Sequence, residues 1–460
     1  MAQLKRRFGA SIVLTVLSLS TVILLLYRSN VKTQLQKIGL GTSLDEYTGL
    51  WSWGAEADED GESELRIIVF GDSWVDDRLS DNEAERGKGK SWARIMCEEI
   101  NCTTFINYAA TQPPDAFPVS PPTGVLTSNS IQVAALASSQ SMNIEGSELT
   151  LLPDFASQVQ SFLAEPAPVK PTETIFVLSL GFWDVYNYAS LDFAFAQNRT
   201  DATIEELFNQ LELLYSHYAQ NLSVPVTILK ADGRETTAPS SFHVVVPKVV
   251  DPSLLPGWLS HRPLPMKPSS IAEQQKNVMY LTNRWNTALE NKLTSWLKSP
   301  SIAADSKKFP QIKAEVETGE KSDSEEKTPD PIDEIVVEKD AYWYDLPEYL
   351  LKMIVEFQLE DEEISDASGL GKGSTPFEHV YQPCIHETQI EENEPSVDVN
   401  GQLLCTNPEQ YLFWDAFNIG SVAKKDIGKA ISTMVKDGQS LRQIWGQLYG
   451  NTKGGLRRFK

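Results

Sequence analysis

Ser73 stands where a hydroxyl can become a nucleophile. Ile67-Ile68-Val69-Phe70 is a continuous apolar run, Gly71 permits a tight turn, and Asp72-Ser73-Trp74 follows. Open α/β sheets collect their ligand sites at the carboxyl ends of strands. A serine there is activated when a base lies within hydrogen-bond reach. Asp72, Asp76 and Asp77 can brace such a turn by accepting its backbone N–H groups. Far along the chain, Leu412-Phe413-Trp414 ends at Asp415, with Asn418 three residues on. Between these segments, Gly181-Phe182-Trp183-Asp184 follows the apolar run Thr174 to Leu180. Trp74, Trp183 and Trp414 are candidates to line an acyl or sugar pocket; aromatic residues at strand ends also serve as core.

The elements that must position these residues alternate. Ile67–Phe70, Phe105–Tyr108, Thr174–Leu180 and Phe242–Val246 read as strands, with the body of the domain starting at Leu65. Ser91–Ile100, Ile204–Leu222, Ile271–Leu297, Tyr342–Leu359 and Ser421–Val435 repeat their apolar residues at helical spacing. Strands alternating with helices imply an α/β fold with a parallel sheet covered on both faces. Residues 112–130, rich in Pro and Ser, read as a loop.

Phe70-Gly71-Asp72-Ser73 resembles the first sequence block of the GDSL, or SGNH, hydrolase family, and Leu412-Phe413-Trp414-Asp415 is similar to its last block. Gly181-Phe182-Trp183-Asp184 sits where that family carries a Gly-x-Asn-Asp block. The resemblance covers about residues 65–435 and implies a flavodoxin-like three-layer α/β/α sandwich. It implies ester hydrolysis in which Ser73 attacks the carbonyl and Asp415 orients a histidine three residues later, the division of labour of other serine hydrolases. The serine amide, a second-block glycine and the third-block asparagine would hold the oxyanion. Three positions depart from the pattern. Asn418 replaces the histidine, and a carboxamide has no nitrogen that titrates near neutrality. Trp183 replaces the asparagine. Asn107-Tyr108-Ala109-Ala110 has no glycine, although Asn107 offers an amide donor. Losing one oxyanion donor costs about 2 to 4 kcal/mol of transition-state stabilisation, and losing the base costs several orders of magnitude in rate. Gly181, Asp184 and Asn418 are then read as bracing the site. His243, His261, His379 and His386 are alternative bases, with His217 less well placed within a helix; Asp415 acting directly on Ser73 is a further route.

The surrounding sequence sets the compartment. Phe8–Tyr27 is a run of 20 uncharged, mostly apolar residues, about 30 Å long as a helix and matched to a bilayer. Lys5-Arg6-Arg7 precedes it, which favours a cytoplasmic amino terminus and a type II signal anchor over a cleaved signal peptide. Asn198-Arg199-Thr200 and Asn221-Leu222-Ser223 fit the glycosylation acceptor pattern, as does Asn101-Cys102-Thr103. Four cysteines form two sequence-local couples, Cys97/Cys102 and Cys384/Cys405, preferred among the three possible pairings. Their spacing does not suit zinc. The net charge is −23, and residues 301–400, with 26 acidic and 8 basic residues, hold −18 of it. That places the acidity in an insertion. Nucleic-acid binding is excluded as a working reading, since no basic stripe runs along the body.

The expected order is a cytoplasmic tail (1–7), a transmembrane segment (8–27), a stem (28–64), the hydrolase-like domain in two parts (65–298 and 341–440), a disordered acidic insertion (299–340) and a basic tail (441–460). The expected function is hydrolysis of a lipid or glycan ester through Ser73, with no cofactor and no metal. A catalytically inactive binding relative is the main alternative, and removal or transfer of acetyl groups on glycans is a third.

Overall fold

A computed structural model describes residues 64–77, 88–111, 124–138, 151–166, 172–223, 225–229, 235–263, 270–303, 336–366, 371, 373, 375–387, 396–399 and 402–444. Phe8–Tyr27, most of the stem and the centre of the acidic insertion lie outside these residues. No helix among the described residues is long and apolar enough to cross a membrane.

The chain is an α/β protein built on a five-stranded parallel sheet. Strand β1 (Glu64–Gly71) lies between β2 (Thr104–Asn107) and β3 (Thr172–Ser179); β4 (Phe242–Pro247) and β5 (Lys339–Tyr344) continue beyond β3. The spatial order is therefore β2-β1-β3-β4-β5. Ile67, Ile68, Val69 and Phe70 are all fully buried, as are Phe176 and Val177 of β3 and Val244 and Val245 of β4. Continuous apolar strands of this kind belong to sheets covered on both faces.

The strand order reverses between β1 and β3, which makes their carboxyl ends a topological switch point. Right-handed crossovers then send the helix leading to β2 to one face and the helices leading to β3 and β4 to the other. The packing agrees. Helix α1 (Trp92–Glu99) pairs with the last helix, α8 (Ser421–Lys436), joined by α7 (Leu346–Asp361) through a Tyr349–Asp426 hydrogen bond of 3.1 Å. On the other side, α2 (Asn129–Ser138) and α3 (Phe155–Leu163) meet α5 (Phe193–His217), and α4 (Phe182–Tyr188) and α5 meet α6 (Ile271–Lys298). Side-chain caps start most of these helices: Ser91, Asp154, Asp192, Ser270 and Asp345 each accept a backbone N–H from the first turn.

Several sequence expectations need correction. Tyr342 does not begin a helix; Lys339–Tyr344 is the fifth strand, and the helix starts at Leu346. Polar Lys339 and Asp340 hide the strand in the sequence. Lys339 is buried because its ammonium lies over the rings of Tyr215 and Trp296, at 4.5 and 5.0 Å. The stretch 299–340 is thus not disordered throughout: Ile302–Ala303 pairs antiparallel with Val336–Val337. Nor is the acidity confined to an insertion. Residues 304–335 carry −5, whereas 336–400 carry −13, much of it on and just after α7. Helix α5 begins at Phe193, well before Ile204, and ends in a widened turn, Tyr218–Leu222. Helix α2 begins inside the segment expected to be loop. Helices α3 and α4 had no sequence expectation.

Both sequence-local disulfides form, Cys97–Cys102 and Cys384–Cys405, each with Cα atoms 5.0 Å apart.

Candidate functional site at the carboxyl edge of the sheet

The serine turn is held from its first residue. The side-chain amide of buried Gln158, on α3, accepts from the N–H of Gly71 at 2.9 Å and donates to its carbonyl at 3.0 Å. A Cβ at Gly71 would meet the Ser179 carbonyl oxygen at 2.6 Å and a Val75 methyl at 2.7 Å, so only glycine passes between β3 and the turn. The chain then coils: the N–H groups of Val75 and Asp76 donate to the Asp72 carbonyl at 3.1 and 3.0 Å, and Trp74 N–H donates to Asp72 Oδ1 at 3.1 Å. Asp72 braces the turn as expected. Asp77 instead ties the turn to α1, accepting from Ser91 N–H and Arg94 Nε at 2.9 and 2.6 Å. Ser73 is buried, and its Oγ has no hydrogen-bond partner among the described residues.

The segment after β3 brings a second buried carboxylate. Gly181 adopts φ +104°, and a Cβ there would lie 2.3 Å from the Trp285 ring. It opens α4 and places Asp184 in the first turn. Asp184 accepts from Thr127 N–H at 3.1 Å and from the Thr127 hydroxyl at 2.9 Å. Burial pushes Asp184 up to about 7 against those hydrogen bonds. Burial likewise pushes Asp72 up to about 7, and the charge of Asp184 adds to the effect. Two carboxyls sharing one desolvated region behave in this way.

The last block has a shape of its own. Asp415 Oδ1 accepts from the N–H groups of Phe417 and Asn418 at 2.9 and 2.8 Å. The Asn418 amide donates to both carboxylate oxygens, at 3.0 and 2.9 Å. Asp415 is therefore held by its own turn, and among the described residues it makes no hydrogen bond to Ser73. Asn418 is buried, and its Oδ1 has no partner among the described residues.

Aromatic rings join the three segments. Trp74, from the serine turn, lies 5.5 Å from Phe182 of α4. Phe417, from the last block, lies 6.4 Å from Phe182, 5.2 Å from Trp183 and 5.5 Å from Tyr186. Lys424, on α8, gives an electrostatic link. Its buried Nζ donates to the Lys88 carbonyl at 3.0 Å. Burial draws it down to about 7; the nearby Lys88 charge pulls the same way, and Asp415, Asp77 and Asp76 oppose.

Other candidates are placed elsewhere or are already engaged. Asn107 donates one amide N–H to the Val75 carbonyl at 2.7 Å and accepts from Ala109 N–H at 2.9 Å, which ties it to the serine turn. The Trp183 indole packs against Gly124, where a Cβ would come within 1.9 Å of Nε1. Trp414 belongs to a separate cluster with Cys384, Cys405 and Tyr411 rather than to the Trp74–Trp183 group. His243 is the second residue of β4, at the amino end of the sheet, 3.8 Å from Glu173, which removes it as a base. His217 meets Phe162 at the end of α5, and His379 stacks on Tyr411 at 4.2 Å. The His386 side chain lies outside the described residues. His261 is the histidine beside the last block: its ring is 6.2 Å from Phe417, and its carbonyl accepts from the Tyr186 hydroxyl. Asn198 and Asn221 are exposed on α5 and in the turn after it. Among the described residues, no three His, Cys, Asp or Glu side chains converge to hold a metal ion.

Sequence reading missed Gln158, Thr127 and Lys424. Gln158 and Lys424 carry no local signal, since each acts on a segment distant in the chain. Thr127 stands shortly before α2 and gives only a helix-start signal. No protein-family model matches the chain, and no curated protein matches it.

Proposed function

We propose that this chain is a membrane-anchored SGNH-like domain facing the secretory lumen or the cell exterior, whose Ser73 site binds an acyl or glycan ligand without turning over esters as a complete triad would. The β2-β1-β3-β4-β5 order, with Ser73 at the end of β1, supports the flavodoxin-like part of this reading. The observation that carries it is the pair of hydrogen bonds from Asn418 to Asp415, at 3.0 and 2.9 Å. The carboxamide fills the hydrogen-bonding role of an imidazole toward the aspartate but accepts no proton near neutrality. Among the described residues, no base is in hydrogen-bond contact with Ser73. No cofactor is invoked.

A second reading keeps ester hydrolysis or acetyl transfer and uses His261, because its ring stands against Phe417, next to Asn418. Ser73 Oγ would attack the ester carbonyl, His261 would take the hydroxyl proton, and the alcohol would leave carrying that proton.

A fluorophosphonate probe separates the two. The binding reading expects no labelling of folded wild type beyond that of Ser73→Ala. Rapid labelling that Ser73→Ala abolishes overturns it, and loss of that labelling in His261→Ala would identify the base.

A further inference from the structure

Away from the serine turn, α5 and α6 pack side by side and leave a cleft of about 440 Å³ at the surface. That volume suits a small ligand, for which clefts run from about 300 to 1,000 Å³. Gln197 and Asp201 line it from α5; Tyr280, Asn283, Arg284 and Asn291 line it from α6. Tyr280, Arg284 and Asn291 fall on one stripe of their helix, by the helical repeat.

The chemistry of the lining is selective. Arg284 is already closed on Asp201 by two bonds, 2.9 Å from Nε and 2.6 Å from a terminal nitrogen. An anion would have to break that pair, so the cleft does not favour phosphate or carboxylate. Gln197, Asn283 and Asn291 each bring an amide that donates and accepts. Tyr280 is 50% exposed, with Phe193 against it at 6.0 Å between ring centres. Amides, a neutralised ion pair and a half-exposed aromatic ring suit an uncharged ligand with many hydroxyls and one apolar face. A saccharide has that surface.

A separate observation names the source. Asn198-Arg199-Thr200 lies on α5, with Asn198 next to Gln197 and three residues before Asp201. Residues three apart are neighbours on a helix surface. Asn198 is exposed, Thr200 is buried, and Arg199 lies over the Phe195 ring at 4.6 Å. A glycan is attached to the nascent chain, so burial of Thr200 after folding does not bar it.

We propose that the α5–α6 cleft is a saccharide site filled by the first sugars of a glycan carried on Asn198 of the same chain. The inference rests on the secretory-side placement proposed above and is independent of any activity at Ser73.

The test uses the full chain expressed in a eukaryotic host and purified from its membranes in detergent, with glycopeptide mass spectrometry and amide exchange. Asn198 should be occupied. Exchange across residues 278–291 should be roughly threefold slower or more in wild type than in Asn198→Gln. Trimming the glycan from folded wild type should give the same change without any substitution. Asn221→Gln should leave these residues unaffected, and Tyr280→Ala should speed endoglycosidase trimming of the Asn198 glycan relative to wild type. A bare Asn198 beside an occupied Asn221 overturns this inference alone. All three acceptor sites bare, Asn101 included, overturn it together with the secretory placement. An occupied Asn198 with unchanged exchange shows that the sugars extend into solvent and also overturns it.

Discussion

At Asp415 both carboxylate oxygens receive the Asn418 amide, and Oδ1 receives two backbone N–H groups as well. An imidazole at 418 would keep one N–H on Asp415 and present a second nitrogen that titrates near pH 6.5. Asn418→His should therefore raise fluorophosphonate labelling of Ser73 by about a hundredfold or more, the usual contribution of a positioned base. No gain in a folded variant would mean that the turn itself is unproductive. Asp184 gives a stability test. Its folded value of about 7 lies above the ordinary 3.8. The folded state thus holds the proton more tightly, and that stabilisation is full below about pH 4 and is lost as pH rises through 7. Wild type should lose stability relative to Asp184→Asn over this window, by up to about 1.4 kcal/mol per pH unit, in urea unfolding. Lys424 has the opposite sign. Its folded value of about 7 lies below the ordinary 10.5, so its contribution is present above that value and is lost as pH falls to 7. Lys424→Met should gain on wild type as pH drops from 10 to 7. A pH-independent difference in either comparison would refute the assigned shift.

The ends of the acidic excursion are stapled. Ile302 pairs with Val337 and Ala303 with Val336, and Lys339 Nζ donates to Ser299 Oγ at 2.7 Å and to the Pro300 carbonyl at 3.3 Å. Replacing residues 304–335 with a short Gly-rich turn should leave the fold intact. It should stabilise it by up to about 2 kcal/mol, because a shorter loop loses less entropy on closure. Loss of cooperative thermal unfolding would show that the excised residues belong to the core. The same region shows where pattern reading fails. β1, β3 and β4 were legible because both of their faces are apolar. β5 was not, because Lys339 is buried through its contact with two rings and Asp340 turns back to the Ala341 N–H at 2.8 Å. Helix α4, of seven residues, is too short to display a period, whereas α3 carries a signal in Phe155, Val159 and Phe162 at helical spacing after its cap Asp154.

Across the whole molecule, covalent staples hold the two ends of the domain. Cys97–Cys102 closes the turn between α1 and β2, and Cys384–Cys405 anchors the segment that leads into Asp415. The loops span 5 and 21 residues of sequence. On chain entropy alone, removing the first should cost about 2 kcal/mol and the second about 3 kcal/mol, read by chemical denaturation of the paired Cys→Ala variants. Equal costs would point to strain or residual structure in place of loop length. The second disulfide packs with Tyr411 and Trp414. Its loss should therefore also loosen the Asp415–Asn418 turn, visible as faster amide exchange there.

The order of apolar runs and helical repeats determined the α/β class and the position of Ser73 after β1, since these depend on local periodicity and on a glycine turn. The sequence-local cysteine couples likewise anticipated the disulfides. Only the tertiary structure decided that Gln158 grips Gly71, that Thr127 holds Asp184, that Trp414 leaves the aromatic group while Phe417 joins it, and that Lys424 is buried near Asp415. Each of these depends on side chains from segments far apart in the chain. Burial and partnership are properties of the packed neighbours, and no local spacing encodes them.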